Sequence, residues 1–316
     1  MALPDPLLDR FRADLAATGA NVSAVRLGVA VSGGPDSLAL LLLAPAALPG
    51  RVAAATVDHG LRPAAADEAR LVAALCAERG IPHETLTVSV DQNGDGLQAA
   101  ARIARYATLE AWRQRHGLGL IATAHHADDQ AETLLMRLNR GAGVGGLAGI
   151  RAANGRLVRP LLGWRRAELE ALVVEAGIVP LRDPSNADPR FDRVRMRQAL
   201  AQASWISVAS LAKSAANLAD AAAALDWMTE RLAAERITAE GDALVLDPRD
   251  LPVELVRRLL LAAIARLDPA AAPAGPALDR ALAALHAGGR ASLGALLLQG
   301  GPLWHLAAAP PRRSPG

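Results

Sequence analysis

The chain has 316 residues, 52% of them apolar, and a formal charge of +2. No apolar run approaches a bilayer span, which argues against a membrane-spanning helix and fits a globular protein of two ordinary domains. Cys76, the sole cysteine, cannot form an intramolecular disulfide or a cysteine-rich metal site; its place in LVAALCAERG predicts a buried small apolar residue. Of 34 basic residues only Lys213 is lysine, so residues 1–212 hold no lysine for a Schiff base or a Walker-type phosphate loop. Fixed positive charge there comes from arginine, whose planar fork suits phosphates.

The first residues, MALPDPLLDRFRADLAATGA, mix acids and bases and lack a basic head followed by an apolar core. The expectation is no signal peptide and a cytoplasmic protein. Short β-like runs then alternate with helical segments: RLGVAV (26–31) before PDSLALLLLA, RVAAATV (51–57) before AAADEARLVAALCAERG, ETLTVSV (84–90) before GLQAAARIARYATLEAWRQRHG, and GLIATA (119–124) before DDQAETLLMRLNR. This order predicts an α/β fold with a parallel, Rossmann-like sheet and helices on both faces. Such sheets bind ligands at the carboxyl ends of their strands. SGGPDS, DHGLR and HHADDQAE each directly follow a strand, so the three clusters are expected to converge on one edge.

After residue 141 come GAGVGGLAGI, with five glycines in ten residues, and a predicted hairpin in RAANGRLVRPLL. A helix in RRAELEALVVEAG follows. The glycine run succeeds a helix rather than a strand, which favours a mobile loop closing over a site above a phosphate loop. Residues 180–198 carry arginines at 182, 190, 193, 195 and 197 interleaved with Asp183, Asp188 and Asp192. That pattern suits either a salt-bridged face or RNA phosphate contacts. From about 207 the chain reads as helical to Arg236, with a hairpin in ITAEGDALVLD and helices at 250–267 and 276–287. The predicted organisation is a catalytic domain over 1–205, a smaller mainly α-helical domain over 206–309 and a disordered tail, 310–316.

At a strand-to-helix turn, SGGPDS lets backbone approach an anion, and the helix start offers unpaired N–H groups. Ser32, Gly33, Gly34, Pro35 and Ser37 are the candidate phosphate cradle, Pro35 suiting a first helical turn. Asp36 would repel a phosphate unless a divalent cation such as Mg²⁺ lay between them. In HHADDQAE, Asp128 or Asp129 shares a helical face with Glu132; these are either site carboxylates or first-turn acids favoured by the helix dipole. The spacing of a zinc protease is absent. Arg102 and Arg105, three apart, can aim at one polyanion or form a solvated face.

The sequence resembles the N-type ATP pyrophosphatases through the SGGxDS loop at 32–37 and, more narrowly, the tRNA(Ile)-lysidine synthetases. VDHGLR (57–62), ARxxRY (101–106), TAHHADDQAETLLMRLNRGAG (123–143), RPLL (159–162) and DPSN (183–186) occur in that family's order. The resemblance implies ATP and Mg²⁺ as cofactors, and as partners L-lysine and an isoleucine tRNA with a CAU anticodon. It also leans towards a homodimer. The implied reaction adenylates O2 of the wobble cytidine and then displaces AMP with the lysine ε-amine. By motif position, Asp36 would hold Mg²⁺ and pyrophosphate, and Asp129 and Glu132 would hold lysine. Arg105 and His125 would steady phosphates and activated base, Arg197 is a candidate for the same region, and Asp58 and His59 would line the adenosine side. The resemblance also leads one to expect tRNA gripping by the second domain and no further domain of the longer members. A 2-thiocytidine synthetase would need several cysteines, and a non-catalytic nucleotide- or RNA-binding module would not need acids beside phosphates.

Overall fold

The computed structural model describes residues 3–19, 25–58, 63–88, 97–181 and 188–309. Residue contacts divide the chain into two units, Met1–Ala219 and Asp220–Gly316. The first runs through α1 (Asp5–Ala17), β1 (Leu27–Ala30), α2 (Pro35–Ala47), β2 (Val52–Asp58), α3 (Pro63–Glu78), β3 (His83–Thr87), α4 (Leu97–Arg115), β4 (Leu120–Ala122) and α5 (Ala127–Leu138). Next come α6 (Val144–Leu147), a hairpin of β5 (Ala153–Asn154) and β6 (Leu157–Val158), α7 (Arg166–Glu175), α8 (Asp192–Gln202) and the start of α9 (Val208–Arg236). The division between these units falls inside α9.

The six strands lie in the order β3-β2-β1-β4-β6-β5. All pairs are parallel except the β5–β6 hairpin. Every residue of β1 is buried, as a strand covered on both faces requires. Its side chains alternate: Leu27 and Val29 enter a core with Phe11, Leu15, Leu40 and Leu41, while Ala30 enters one with Leu109, Trp112 and Ile121. Gly28 gives Trp112 room, since a Cβ there would lie 2.5 Å from the indole. Helix α2 is apolar nearly all round, with Leu38, Leu40, Leu41 and Leu43 buried, because it packs against both α1 and α7. Cys76 is fully buried, and burial pushes its thiol up to about 11.

The strand order runs β3-β2-β1 in one direction and β4-β6 in the other, so the topological switch point lies between β1 and β4. Those two strands feed the SGGPDS and HHADDQAE segments.

The second unit corrects the expectation of a mainly helical domain. Besides α10 (Val253–Leu267) and α11 (Gly275–His286), it contains β7 (Ile237–Glu240), β8 (Ala243–Leu246), β9 (Arg290–Leu293), β10 (Leu296–Gln299) and β11 (Trp304–Ala308). These form an antiparallel sheet in the order β7-β8-β11-β10-β9. Leu246, Leu298, Trp304 and Leu306 on the sheet pack with Leu259, Leu260 and Leu285 from the helices. Among the described residues no helix is long and apolar enough to cross a membrane.

Candidate active site

The turn after β1 is shaped by one hydroxyl. Ser37 Oγ accepts from the Ser32 N–H at 3.1 Å and from Ser32 Oγ at 3.2 Å, and donates to the Gly34 carbonyl at 2.9 Å. Ser37 therefore holds the loop, and the exposed Ser32 stands at its mouth. Gly33 has φ +81°, and a Cβ there would lie 2.4 Å from Leu181, whose N–H donates to the Gly33 carbonyl at 2.9 Å. Pro35 starts α2 after Gly34 at the N-cap. The first N–H groups of a helix have no intrahelical partner, so this turn presents donors and a positive dipole end.

Asp36, in that first turn, has one buried carboxylate oxygen, Oδ1, without a hydrogen-bond partner. Its other oxygen lies 3.5 Å from Nε2 of His126, which also lies 3.6 Å from Asp129 Oδ2. His126 caps α5: its Nδ1 accepts from the Asp129 N–H at 3.3 Å, while its own N–H donates to Asp129 Oδ2 at 3.1 Å. In the neutral ring the proton is thereby assigned to Nε2, facing Asp36 and Asp129. Burial disfavours the imidazolium, but Asp36, Asp129 and Asp128 together outweigh it and raise the His126 pKa.

His125 behaves oppositely. Burial, opposed by Asp129 and reinforced by Arg159, Arg193 and Arg102, pushes it down to about 4. Its Nδ1 lies 3.0 Å from Thr123 Oγ1. His125 is thus a neutral ring at physiological pH.

The carboxylates of α5 divide by role. Asp128 is bound by the Arg165 guanidinium (3.2 Å) and the Arg166 N–H (2.8 Å); those bonds overcome burial and lower its pKa. It ties α5 to α7, leaving Asp129 as the acid beside Asp36 and His126. Glu132, 2% exposed, receives Arg193 Nε at 3.0 Å and Arg197 Nε at 2.7 Å. Arg193 also reaches Asp129 at 3.5 Å. Glu132 thus differs from a carboxylate open to an incoming ammonium: it anchors two arginines of α8. The rest of the basic series is salt-bridged, Arg190 on Asp188 just before this helix and Arg195 on Asp192 within it.

Arg105 is on α4 with Arg102; burial and then the neighbouring Arg102 depress its pKa, against the effect of Tyr106. It forms no salt bridge among the described residues. Asp58 ends β2, whereas His59, Arg182 and the DPSN segment lie outside the described residues. The glycine segment 141–150 is fastened: Gln130 Nε2 donates to the Ile150 carbonyl (2.9 Å) and its Oε1 accepts from the Ile150 N–H (2.6 Å), while Arg137 donates to the carbonyls of Gly146 and Gly149. The sequence gives neither His126 nor Arg193 a site role of its own. An N-cap position before DDxxE was the available signal for the first.

For Mg²⁺ the donor set fits. This cation commonly uses one or two carboxylates together with substrate phosphates, and Asp36 Oδ1 is a buried oxygen lacking any other partner. No group of three or more His, Cys, Asp or Glu suited to a metal ion occurs among the described residues.

The PP-loop domain family matches residues 7–204. A tRNA(Ile)-lysidine synthase of Zymomonas mobilis is 46% identical, the alignment covering 91% of this chain and 90% of that protein. One of Novosphingobium aromaticivorans is 49% identical over 96% and 94%. Among solved structures, the U34-tRNA thiolase NcsA from Methanococcus maripaludis with its [4Fe-4S] cluster matches with a TM-score of 0.52 at 15% identity. It covers 69% of this chain and 78% of the thiolase, a likeness of fold alone. With a PP-loop closing β1, an acid–histidine cluster at the switch point and these relatives aligned over nearly the whole length, the chain belongs to the tRNA(Ile)-lysidine synthase family.

Proposed function

We propose that the β1–β4 edge carries out lysidine formation in two displacements. In the first, O2 of the wobble cytidine in an isoleucine tRNA with a CAU anticodon attacks the α-phosphate of ATP, and pyrophosphate leaves. In the second, the ε-amine of L-lysine attacks C2 of the adenylated base, AMP leaves with the C–O electron pair, and the amine gives up a proton. The observation that carries this reading is that Asp36 and Asp129, in the helix turns that follow β1 and β4, both lie within 3.6 Å of His126 Nε2.

The SGGPDS loop receives pyrophosphate through backbone N–H groups, Ser32 and the α2 dipole. Asp36 would hold Mg²⁺, which when bound neutralises phosphate charge. Asp129, the acid of α5 turned towards the site, orients the lysine. Glu132, the other acid proposed for lysine, acts from behind by fixing Arg193 and Arg197. Arg197 and Arg105 offset charge on phosphates, neutral His125 donates towards the activated base, and Asp58 and His59 line the adenosine side. A homodimer belongs to the same proposal; sedimentation of the purified protein reads it.

A thiolating reaction is disfavoured because Cys76 is the only cysteine and is fully buried. The test is incubation of purified protein with ATP, Mg²⁺, labelled lysine and an unmodified tRNA transcript, with isoleucine and methionine tRNAs compared. Incorporation into the isoleucine transcript alone supports the reading; AMP release without incorporation contradicts it.

A further inference from the structure

A cluster beside the strand edge is left unused by this chemistry. Arg102 and Tyr106 of α4, Asn154 and Arg156 of the β5–β6 hairpin, and Arg159 after β6 line a cavity of about 390 Å³. The Arg102 guanidinium lies over the Tyr106 ring at 5.0 Å from its centroid. Arg159 is only 6% exposed. Its Nη1 donates to the Arg151 carbonyl at 2.6 Å, Tyr106 adjoins the guanidinium, and the buried Nε has no partner. A buried donor without an acceptor is costly, and a bound anion would remove that cost.

The charge points the same way. Arg102 and Arg156 make no salt bridge among the described residues. The one acid in the lining, Glu110, is already held by Arg113 through two bonds of 2.7 and 2.8 Å. Three guanidinium groups thus line a cavity whose one lining carboxylate, Glu110, is bonded to Arg113 and also feels the Arg156 charge. The place is informative too: the Thr123 N–H donates to the Val158 carbonyl, so Arg159 leaves the strand next to the one carrying His125. Arg159 and Arg102 both act on the His125 charge.

We infer that this cavity is a phosphodiester-binding subsite, holding the RNA backbone beside the base to be modified. The inference rests on the tRNA-modifying reading above and assigns its polymer contact to a defined set of side chains. The PP-loop follows β1, with β4 between it and β6, so triphosphate and cavity sit on opposite sides of the His125 strand. Guanidinium groups, an aromatic ring and exposed Asn154 and Arg156 at the rim suit a chain of phosphates with stacked bases.

The test compares full-length protein with an Arg102→Ala/Arg156→Ala double variant, whose side chains are exposed and whose melting temperature should therefore hold. Binding of the isoleucine tRNA transcript is measured across a salt series, and ATP binding separately. Kd for tRNA should rise about tenfold near 0.1 M salt, and the slope of log Kd against log salt should flatten by about 1 to 2. ATP affinity should stay within about twofold on the same logic. An unchanged tRNA Kd and slope would overturn the subsite, as would a parallel loss of ATP affinity, which would make it a triphosphate site. Arg159→Gln, checked for folding, should weaken tRNA binding similarly; normal binding by a folded Arg159→Gln protein would also count against it. Wild-type protein that binds the transcript but incorporates no lysine would sink the proposed reaction and leave the subsite standing.

Discussion

His125 and His126 leave the same strand, yet their surroundings move their protons in opposite directions. For His125 the folded pKa of about 4 lies below its ordinary 6.5. The unfolded chain therefore binds the proton first as pH falls: stability from keeping His125 neutral is full above about 6.5 and is lost towards about 4. For His126 the folded pKa is raised, so its contribution is full below the ordinary value of 6.5 and is lost as pH rises through the folded value. Denaturant titrations across pH 4–8 should show the acid-side loss shrink in His125→Gln and the alkaline-side loss shrink in His126→Asn, which keeps a capping side chain. Unchanged profiles would refute these assignments. Both histidines were visible in HHADDQAE, but only the point where α5 begins makes the second a cap between two acids. A sequence shows the pair; the start of the helix decides their roles. Asp36→Asn should slow lysine incorporation by about 100-fold or more, the scale of losing a main electrostatic group. Its other oxygen faces His126, so the protein should stay folded but lose the part of the His126 contribution that Asp36 supplies.

At the scale of elements, the PP-loop depends on Gly33, where a positive φ and the nearness of Leu181 both exclude a side chain. Gly33→Ala should destabilise the protein by about 1 to 3 kcal/mol and weaken ATP binding; Leu181→Ala in the same chain relieves the clash but not the φ cost, so rescue should be partial. Melting curves and ATP titration check both. The glycine segment after α5 was read as a mobile lid from composition. Composition does not reveal that Gln130 supplies a donor and an acceptor to Ile150, or that Arg137 binds two carbonyls of the segment. Gln130→Ala should make residues 141–150 cleave faster under limited proteolysis while the melting temperature moves by no more than a few degrees. Equal cleavage rates would show that the clamp does not hold the segment. The parallel strands were legible because each is an apolar run bounded by polar turns. α1 was not read as an element, since its apolar face is set by only Leu8, Phe11 and Leu15.

Across the whole molecule, legibility fell from the first unit to the second. The first unit repeats strand and helix in an order that only a parallel sheet accommodates, and the switch point then follows from topology. In the second, ALLLQG and LWHLAA carry alanine and leucine, residues that favour helices as readily as strands. Their alternation, with Leu296 and Leu298 buried and Leu297 exposed, emerges only once β10 pairs with β9 and β11. Leu298→Ala, in the centre of that core, should cost about 2 to 5 kcal/mol, read as a drop in the melting transition; a surface-like effect would contradict the assigned register. Whether the edge between β1 and β4 makes lysidine is read from labelled-lysine incorporation into the isoleucine tRNA transcript, with AMP and pyrophosphate counted. The wild-type protein should incorporate one lysine per AMP released, and folded Asp36→Asn and Asp129→Asn proteins should fall by about 100-fold or more. Absence of incorporation by the folded wild type, or wild-type rates in either variant, would contradict lysidine formation at this edge.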